Sequence, residues 1–224
     1  MPWSRRANVS VVIPTYNRKD SLLRCLASMP KDVEVIVVDD GSSDGTAEAI
    51  KHVTHLLLVY VRQTNAGPAS ARNAGIRAAS GRYIVFTDDD CVPVEPWPRP
   101  LIERLEQEGQ EVAGAGGRVL PLGDNLLSRY YTFHRILEPP ESCSYLVTAN
   151  CAYRRELLEM VGGFDPTIRA PGGEDPGLSI KVRSRGYRLV FEPRATVLHD
   201  YRPNLSNFVK TFYNYGKGCA HVMG

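Results

Sequence analysis

Tyr83-Ile84-Val85-Phe86-Thr87-Asp88-Asp89-Asp90-Cys91 takes an apolar run directly into three consecutive carboxylates. A short continuous apolar run bounded by polar residues reads as a strand buried on both faces, here over Tyr83 to Phe86. Three adjacent carboxylates repel one another, so a fold that aims two of them at one place needs a cation there. Asp88 and Asp90, two apart, are expected on the same side of an extended backbone. Hard oxygen donors favour Mg2+ or Mn2+, held by one or two carboxylates while substrate phosphates complete the shell. A solvated acidic turn is the plainer alternative. The position at the end of a buried strand favours the metal.

The chain upstream repeats this strand-then-loop pattern. Val9 to Ile13 is apolar and closed by Pro14; Leu22, Leu23, Leu26 and Met29 then recur at helical spacing after a cap-like Asp20-Ser21. Val33 to Val38 leads into Asp39-Asp40-Gly41-Ser42-Ser43-Asp44-Gly45 and a short helix over Thr46 to Ile50. Leu56 to Val61 precedes Asn65-Ala66-Gly67-Pro68, and an Ala-rich helix follows to about Ala79. Strands separated by such helices need crossover connections, hence an α/β fold with a largely parallel sheet and helices on both faces. Loops at strand carboxyl ends are where these sheets bind ligands.

Beyond Asp90 the pattern changes. Pro93 to Pro100 is too proline-dense for regular structure, and a helix is expected from Leu101 to Glu108. Val112 to Leu120 reads as a glycine-containing strand, and residues 122–145 as a long surface excursion. A strand near Leu146 to Thr148, helices over Arg154 to Val161 and Asp175 to Arg185, and strands over Arg188 to Phe191 and Ala195 to Leu198 follow. No repeat or clean linker appears. The expected organisation is one domain over 1–224, with a first half at 1–92, a second half at 93–200 and a helical segment at 201–224.

Composition narrows the function classes. With 224 residues, 43% hydrophobic and 23% charged, disorder, collagen and coiled coil are poor readings. A net charge of +2 gives no drive toward nucleic acid. No apolar run approaches a membrane span. The basic start, Met1 to Arg6, is followed by a strand pattern rather than a cleavable apolar segment, so a cytoplasmic protein is expected. Five cysteines without a C-x-x-C pair argue against both zinc and a disulfide framework.

Asp39-Asp40 is a second acidic strand end, readable as a turn cap or as a ligand group. Two acidic ends in one sheet suit a nucleotide gripped at its base by Asp40 and at its phosphates by a metal on Asp90. Gly114-Ala115-Gly116-Gly117 does not complete a dinucleotide fingerprint, and neither a P-loop nor a hydrolase elbow occurs. A nucleotidyltransferase would also want acidic metal ligands. It would, however, place a glycine-rich basic loop where Pro14-Thr15-Tyr16-Asn17 stands.

Taken in order, Val11 to Arg18, Val37 to Thr46, Asn65-Ala66-Gly67, Ala71-Arg72-Asn73-Ala74-Gly75, Thr87 to Cys91, Val161 to Asp165 and Gly172-Gly173-Glu174-Asp175 resemble the family 2 glycosyltransferases of the GT-A fold. The resemblance implies a Rossmann-like, mostly parallel sheet flanked by helices, with a smaller mixed region on the acceptor side. It implies that Pro14, Tyr16 and Asp40 lie against the base of a nucleotide sugar. Arg72 would stand near the base or diphosphate, Asp88 near the ribose or metal, and Asp90 on Mn2+ or Mg2+. Asp175 would be the general base, with Glu174 able to share that role. His199 matches either a further metal contact or a supporting histidine. Asp89 departs from the small residue common at its position and is expected to face solvent.

These implications describe an inverting transfer from a nucleoside-diphosphate sugar, expected to be a UDP-sugar, to a saccharide or lipid-linked acceptor. A catalytically silent nucleotide-sugar sensor or assembly partner is the rival from another class, but it would need no base. Near the end of the chain, Phe208, Phe212 and Tyr215 share one helical face with Lys210 and Lys217 nearby. That stripe is read either as packing on the parent domain or as peripheral contact with the cytoplasmic membrane face.

Overall fold

The computed structural model describes residues 8–140, 143–169, 172–201 and 204–223. Met1 to Arg6 and Gly224 lie outside the described residues. In chain order the elements are β1 (Val9–Thr15), α1 (Lys19–Ala27), β2 (Glu34–Asp39), α2 (Thr46–Ile50), β3 (Leu57–Arg62), α3 (Pro68–Ala78), β4 (Tyr83–Thr87) and β5 (Cys91–Val94). They continue with α4 (Arg99–Glu108), β6 (Val112–Pro121), α5 (Leu126–Phe133), β7 (Asn150–Arg154), α6 (Arg155–Val161), α7 (Glu174–Arg183), β8 (Arg188–His199) and α8 (Leu205–Met223).

The strands form one sheet in the order β3-β2-β1-β4-β7-β6-β8-β5. β3, β2, β1 and β4 are parallel, so the loops leaving them open at one edge. β7 runs antiparallel to β4 and β6, β6 and β8 are parallel, and β5 closes the far edge antiparallel to β8. Alternating residues of β1 feed two cores. Val11 and Ile13 pack with Leu22, Cys25 and Leu26 of α1, while Val12 and Ile36 join Ala71, Ala74 and Ile76 of α3. A Cβ on Gly75 would stand 2.2 Å from Val12 Cγ1, so glycine lets α3 lie flush on the sheet.

Several local expectations are corrected. Helix α1 begins at Lys19 rather than after Asp20-Ser21, because Asp44 from the β2 loop accepts the Lys19 N–H at 2.8 Å. Pro93 sits inside β5, tolerated because that strand is the sheet edge. The strand expected at Leu146 to Thr148 lies instead at Asn150–Arg154. The Leu146 and Thr148 N–H groups donate to Ser179 Oγ and Asp175 Oδ2 of α7 and are unavailable to a sheet. The excursion over 122–145 contains α5, opened by an Asn125–Ser128 capping box and with Tyr131 buried. The two strands expected after Arg188 are one, β8, with a register shift against β6.

Candidate active site

The loops leaving β1, β2 and β4 meet the start of α7 and one side of α8 around a cleft of about 810 Å³. Pro14, Tyr16, Asp40, Arg72, Asp88, Asp90, Glu174, Asp175 and His199 all line it. The sheet therefore brings every expected site residue to one place.

At the β1 and β2 ends, the backbone is tied before any ligand arrives. Asn17 donates its N–H to Ser42 Oγ and accepts from the Ser43 N–H, which locks the two loops together. Asp40 is buried and accepts from Gln63 Nε2, Ala66 N and Gly67 N, so it also shapes the loop that opens α3. Gly67 has φ +91°, and a Cβ there would meet Arg169 O at 2.5 Å. Tyr16 is half exposed, its ring on the cleft wall.

The three aspartates separate into three environments. Asp88 to Asp90 form a turn after β4 rather than an extended strand, with Cys91 N donating to Asp88 O. Asp88 accepts from Arg72 Nη2 at 2.9 Å and keeps part of its surface open to the cleft. Asp89 does not face solvent. It is buried, accepts from Thr15 Oγ1 at 2.7 Å and pairs with Arg18 Nη1 at 3.0 Å. Burial and the Asp90 charge push its carboxyl up to about 7, against the pull of Arg18. Asp90 also pairs with Arg18. Burial disfavours its charge, but His199 and Arg18 together hold it below the ordinary carboxylate range.

Asp90 Oδ1 is buried without a hydrogen bond among the described residues and stands 3.3 Å from His199 Nε2. His199 is stacked on Tyr201, ring centres 4.6 Å apart, which fixes its plane. An orphaned carboxylate oxygen beside an imidazole nitrogen fits Mn2+ or Mg2+, with Asp88 at the same cleft. Cys91 Sγ lies within 4.8 Å of both, but burial pushes its thiol well up and keeps it protonated.

Glu174 and Asp175, adjacent in sequence, are used differently. Glu174 is buried, accepts from Arg72 Nη1 at 3.0 Å and from the Gly172 and Gly173 N–H groups. Both of its oxygens are engaged within the protein, unlike those of Asp175. Asp175 Oδ2 accepts the Thr148 N–H at 3.0 Å, while Oδ1 has no partner among the described residues. Burial and the neighbouring Glu174 push the Asp175 carboxyl up to about 7, with Arg72 and Thr148 opposing. One Asp175 oxygen is thus left without a partner among the described residues, on a residue that lines the cleft.

Three features of the site escaped the sequence reading. Arg18 was within the quoted motif but had no assigned partner; the need of Asp89-Asp90 for a cation was its signal. Tyr131 of α5 and Tyr201, stacked at 4.4 Å, form part of the wall. Helix α8 supplies Lys210, Thr211, Asn214 and Tyr215 to the same cleft. The Phe208 and Phe212 rings do not face outward to a membrane. They pack on Tyr130 and Tyr131, while a Cβ on Gly172 would meet Tyr215 at 2.5 Å.

Residues 10–162 match the family described as Glycosyl transferase family 2. The chain is 32% identical over 225 residues to a pre-mycofactocin glycosyltransferase of Mycobacterium tuberculosis, covering 95% of this chain and 47% of that protein. The chain thus spans about half the length of that relative. Among solved structures it resembles a mannosyltransferase of Pyrobaculum calidifontis in complex with GDP-Man and Mn2+, at 27% identity and TM-score 0.65, covering 89% of this chain and 58% of that one. It also resembles GalNAc-T7 with UDP, GalNAc and Mn2+, at 22% identity and TM-score 0.69, covering 92% and 48%. The shared architecture is the GT-A fold.

Proposed function

The chain belongs to glycosyl transferase family 2, and from that premise we propose that it moves a sugar from a UDP-sugar to a hydroxyl of a saccharide or lipid-linked acceptor, with inversion at the anomeric carbon. The observation that carries this reading is the pairing in one cleft of a free, upshifted Asp175 oxygen with the unpartnered Asp90 oxygen. Asp175 Oδ1 takes the proton of the acceptor hydroxyl as its oxygen attacks the anomeric carbon, and the bond to the diphosphate breaks with its electron pair leaving on the phosphate oxygen.

Glu174 has its oxygens held by Arg72 and two backbone N–H groups, so Glu174 itself is not free to trap the sugar covalently. That supports a single displacement, hence inversion. Tyr16 offers a ring face and Asp40 a carboxylate toward the base, with Pro14 bordering them, and Arg72 orients Asp88 toward the ribose and phosphates. Asp90 and His199, beside Asp88, would hold a divalent cation, Mn2+ or Mg2+, which when bound would supply positive charge toward the departing diphosphate. Residues 1–92 then serve as the donor half and 93–200 as the acceptor half, in a protein acting at the cytoplasmic side of a membrane.

A panel of nucleoside-diphosphate sugars with Mn2+, read by thermal stability and by transfer, tests the reading. A UDP-sugar should raise the melting temperature in Mn2+ and lose that effect in EDTA. Stabilisation by no nucleotide sugar, or equal binding and transfer in EDTA, would overturn it.

A further inference from the structure

Asp88, Asp89 and Asp90 follow β4, and the guanidiniums of Arg72 and Arg18 answer them. Arg72 is committed, holding Asp88 at 2.9 Å and Glu174 at 3.0 Å. Arg18 is shared: its Nη1 stands 3.0 Å from Asp89 Oδ1 and also pairs with Asp90 Oδ2. Asp89 has both oxygens taken, since Oδ2 accepts from Thr15 Oγ1 at 2.7 Å, and the residue is 4% exposed. Asp90 keeps Oδ1 without a hydrogen bond among the described residues, beside His199. One carboxylate of the pair is thus closed by the protein, and the other is half open to a cation.

The backbone fixes where the Arg18 side chain starts. Asn17 before it is left-handed, φ 52°, with its N–H and its side-chain oxygen both tied to the β2 loop. Arg18 O accepts the Leu22 N–H at the start of α1, so the chain is held on both sides. Side-chain torsions alone can therefore redistribute the guanidinium, and one of its nitrogens already reaches both carboxylates. Pulling a guanidinium from a buried carboxylate is costly when it strands the charge. Asp89 removes that cost at Asp90, because Arg18 keeps a partner when Asp90 turns to a cation.

We propose that Asp89 is a positioning residue, a standing counter-ion that retains Arg18 while Asp90 binds a divalent cation, and that it thereby sets the affinity of the Asp90 and His199 site for Mn2+. Asp89 acts through Arg18 and does not itself touch the cation. An uncharged residue at 89 would leave Arg18 to Asp90 alone, and a cation arriving there would have to strand the guanidinium. The inference rests on the cation proposed at Asp90 and extends it to a buried carboxylate that the transfer reaction leaves unused.

A double-mutant cycle on Mn2+ binding tests this, with no donor or acceptor present and at pH 8, so that Asp89 and Asp90 are both ionised. The proteins are the parent, Asp89→Asn, Arg18→Gln and the double variant, each titrated with Mn2+ and followed by electron paramagnetic resonance. Asparagine keeps the shape of the side chain and an acceptor for Thr15, and thermal unfolding checks that the fold is retained. Asp89→Asn should weaken Mn2+ binding roughly tenfold in the parent, and that penalty should shrink several-fold in the Arg18→Gln background, where no guanidinium needs a partner. Asp89→Ala should repeat both results. A carboxylate that merely latched β1 to the β4 loop would lower thermal stability and leave Mn2+ affinity unmoved. That outcome, an equal Asp89→Asn penalty in the two backgrounds, or tighter binding by Asp89→Asn would each overturn the proposal. If the parent binds no Mn2+, the cation reading at Asp90 falls and the role of Asp89 with it; if Asp90→Asn weakens binding while the cycle is additive, the role of Asp89 falls alone.

Discussion

Arg72 and Glu174, 102 positions apart in the chain, form a buried ion pair with Nη1 and Oε1 3.0 Å apart. Arg72 carries a second bond to Asp88, so one guanidinium joins the β4 loop to the start of α7. Removing one partner of such a pair strands the other charge away from water. Glu174→Ala should cost roughly 3–5 kcal/mol of folding stability and abolish transfer, because Asp175 would lose its setting. Urea unfolding checks the first part; a loss under about 1 kcal/mol would show that water reaches and screens the pair.

Asp175 carries the prediction on pH. If Asp175 is the base proposed above it must be ionised, so turnover should climb with pH and level off above about 7, the value to which burial raises this carboxyl. Asp175→Asn should reduce turnover roughly 10²-fold or more while donor binding is kept, and the limb near 7 should vanish. Stability should move the other way. The folded state retains a proton that the unfolded chain has already released above its ordinary value near 4, so native stability falls as pH rises toward 7. The Asn variant avoids that loss, and its stability relative to the parent should improve between pH 5 and 8. Unchanged turnover in the variant, with chemistry rate-limiting, would displace the base from Asp175.

A cation bound at Asp90 would have to compete with Arg18. The guanidinium already neutralises this carboxylate, so Arg18→Gln should tighten binding of Mn2+ alone, while Asp90→Asn should weaken it about tenfold or more. Mn2+ titration followed by electron paramagnetic resonance separates these outcomes from any effect on catalysis. Equal affinity in all three proteins would place the cation elsewhere in the cleft.

Nucleotide recognition should depend on Tyr16 and Asp40 in different ways. Tyr16→Ala removes only an exposed ring and should weaken UDP binding with little change in stability. Asp40→Asn should weaken UDP binding and also loosen the α3 loop, because two backbone N–H groups and Gln63 lean on that carboxylate. Calorimetry with UDP, beside thermal unfolding of each variant, distinguishes the two patterns.

The sequence alone determined the strand ends that make the site. In β1, β2 and β4 a strand covered on both faces is largely apolar, so its approach to Asp39-Asp40 and Asp88 is written in one dimension, although β1 runs on through Pro14 to Thr15. Resemblance through those same loops identified the family before any contact was known. Tertiary structure decided what each polar group is free to do. Asp89 is buried because Arg18 and Thr15, over 70 residues earlier, come to meet it, and Glu174 is engaged because Arg72 reaches it across the cleft. Thr148 gives its N–H to Asp175 rather than to a strand, which moves β7 downstream and leaves Asp175 with one free oxygen. Local pattern cannot report these outcomes, because the charge state and availability of a carboxylate depend on which distant donors the fold brings within 3 Å, and neighbours in sequence such as Glu174 and Asp175 can receive opposite answers.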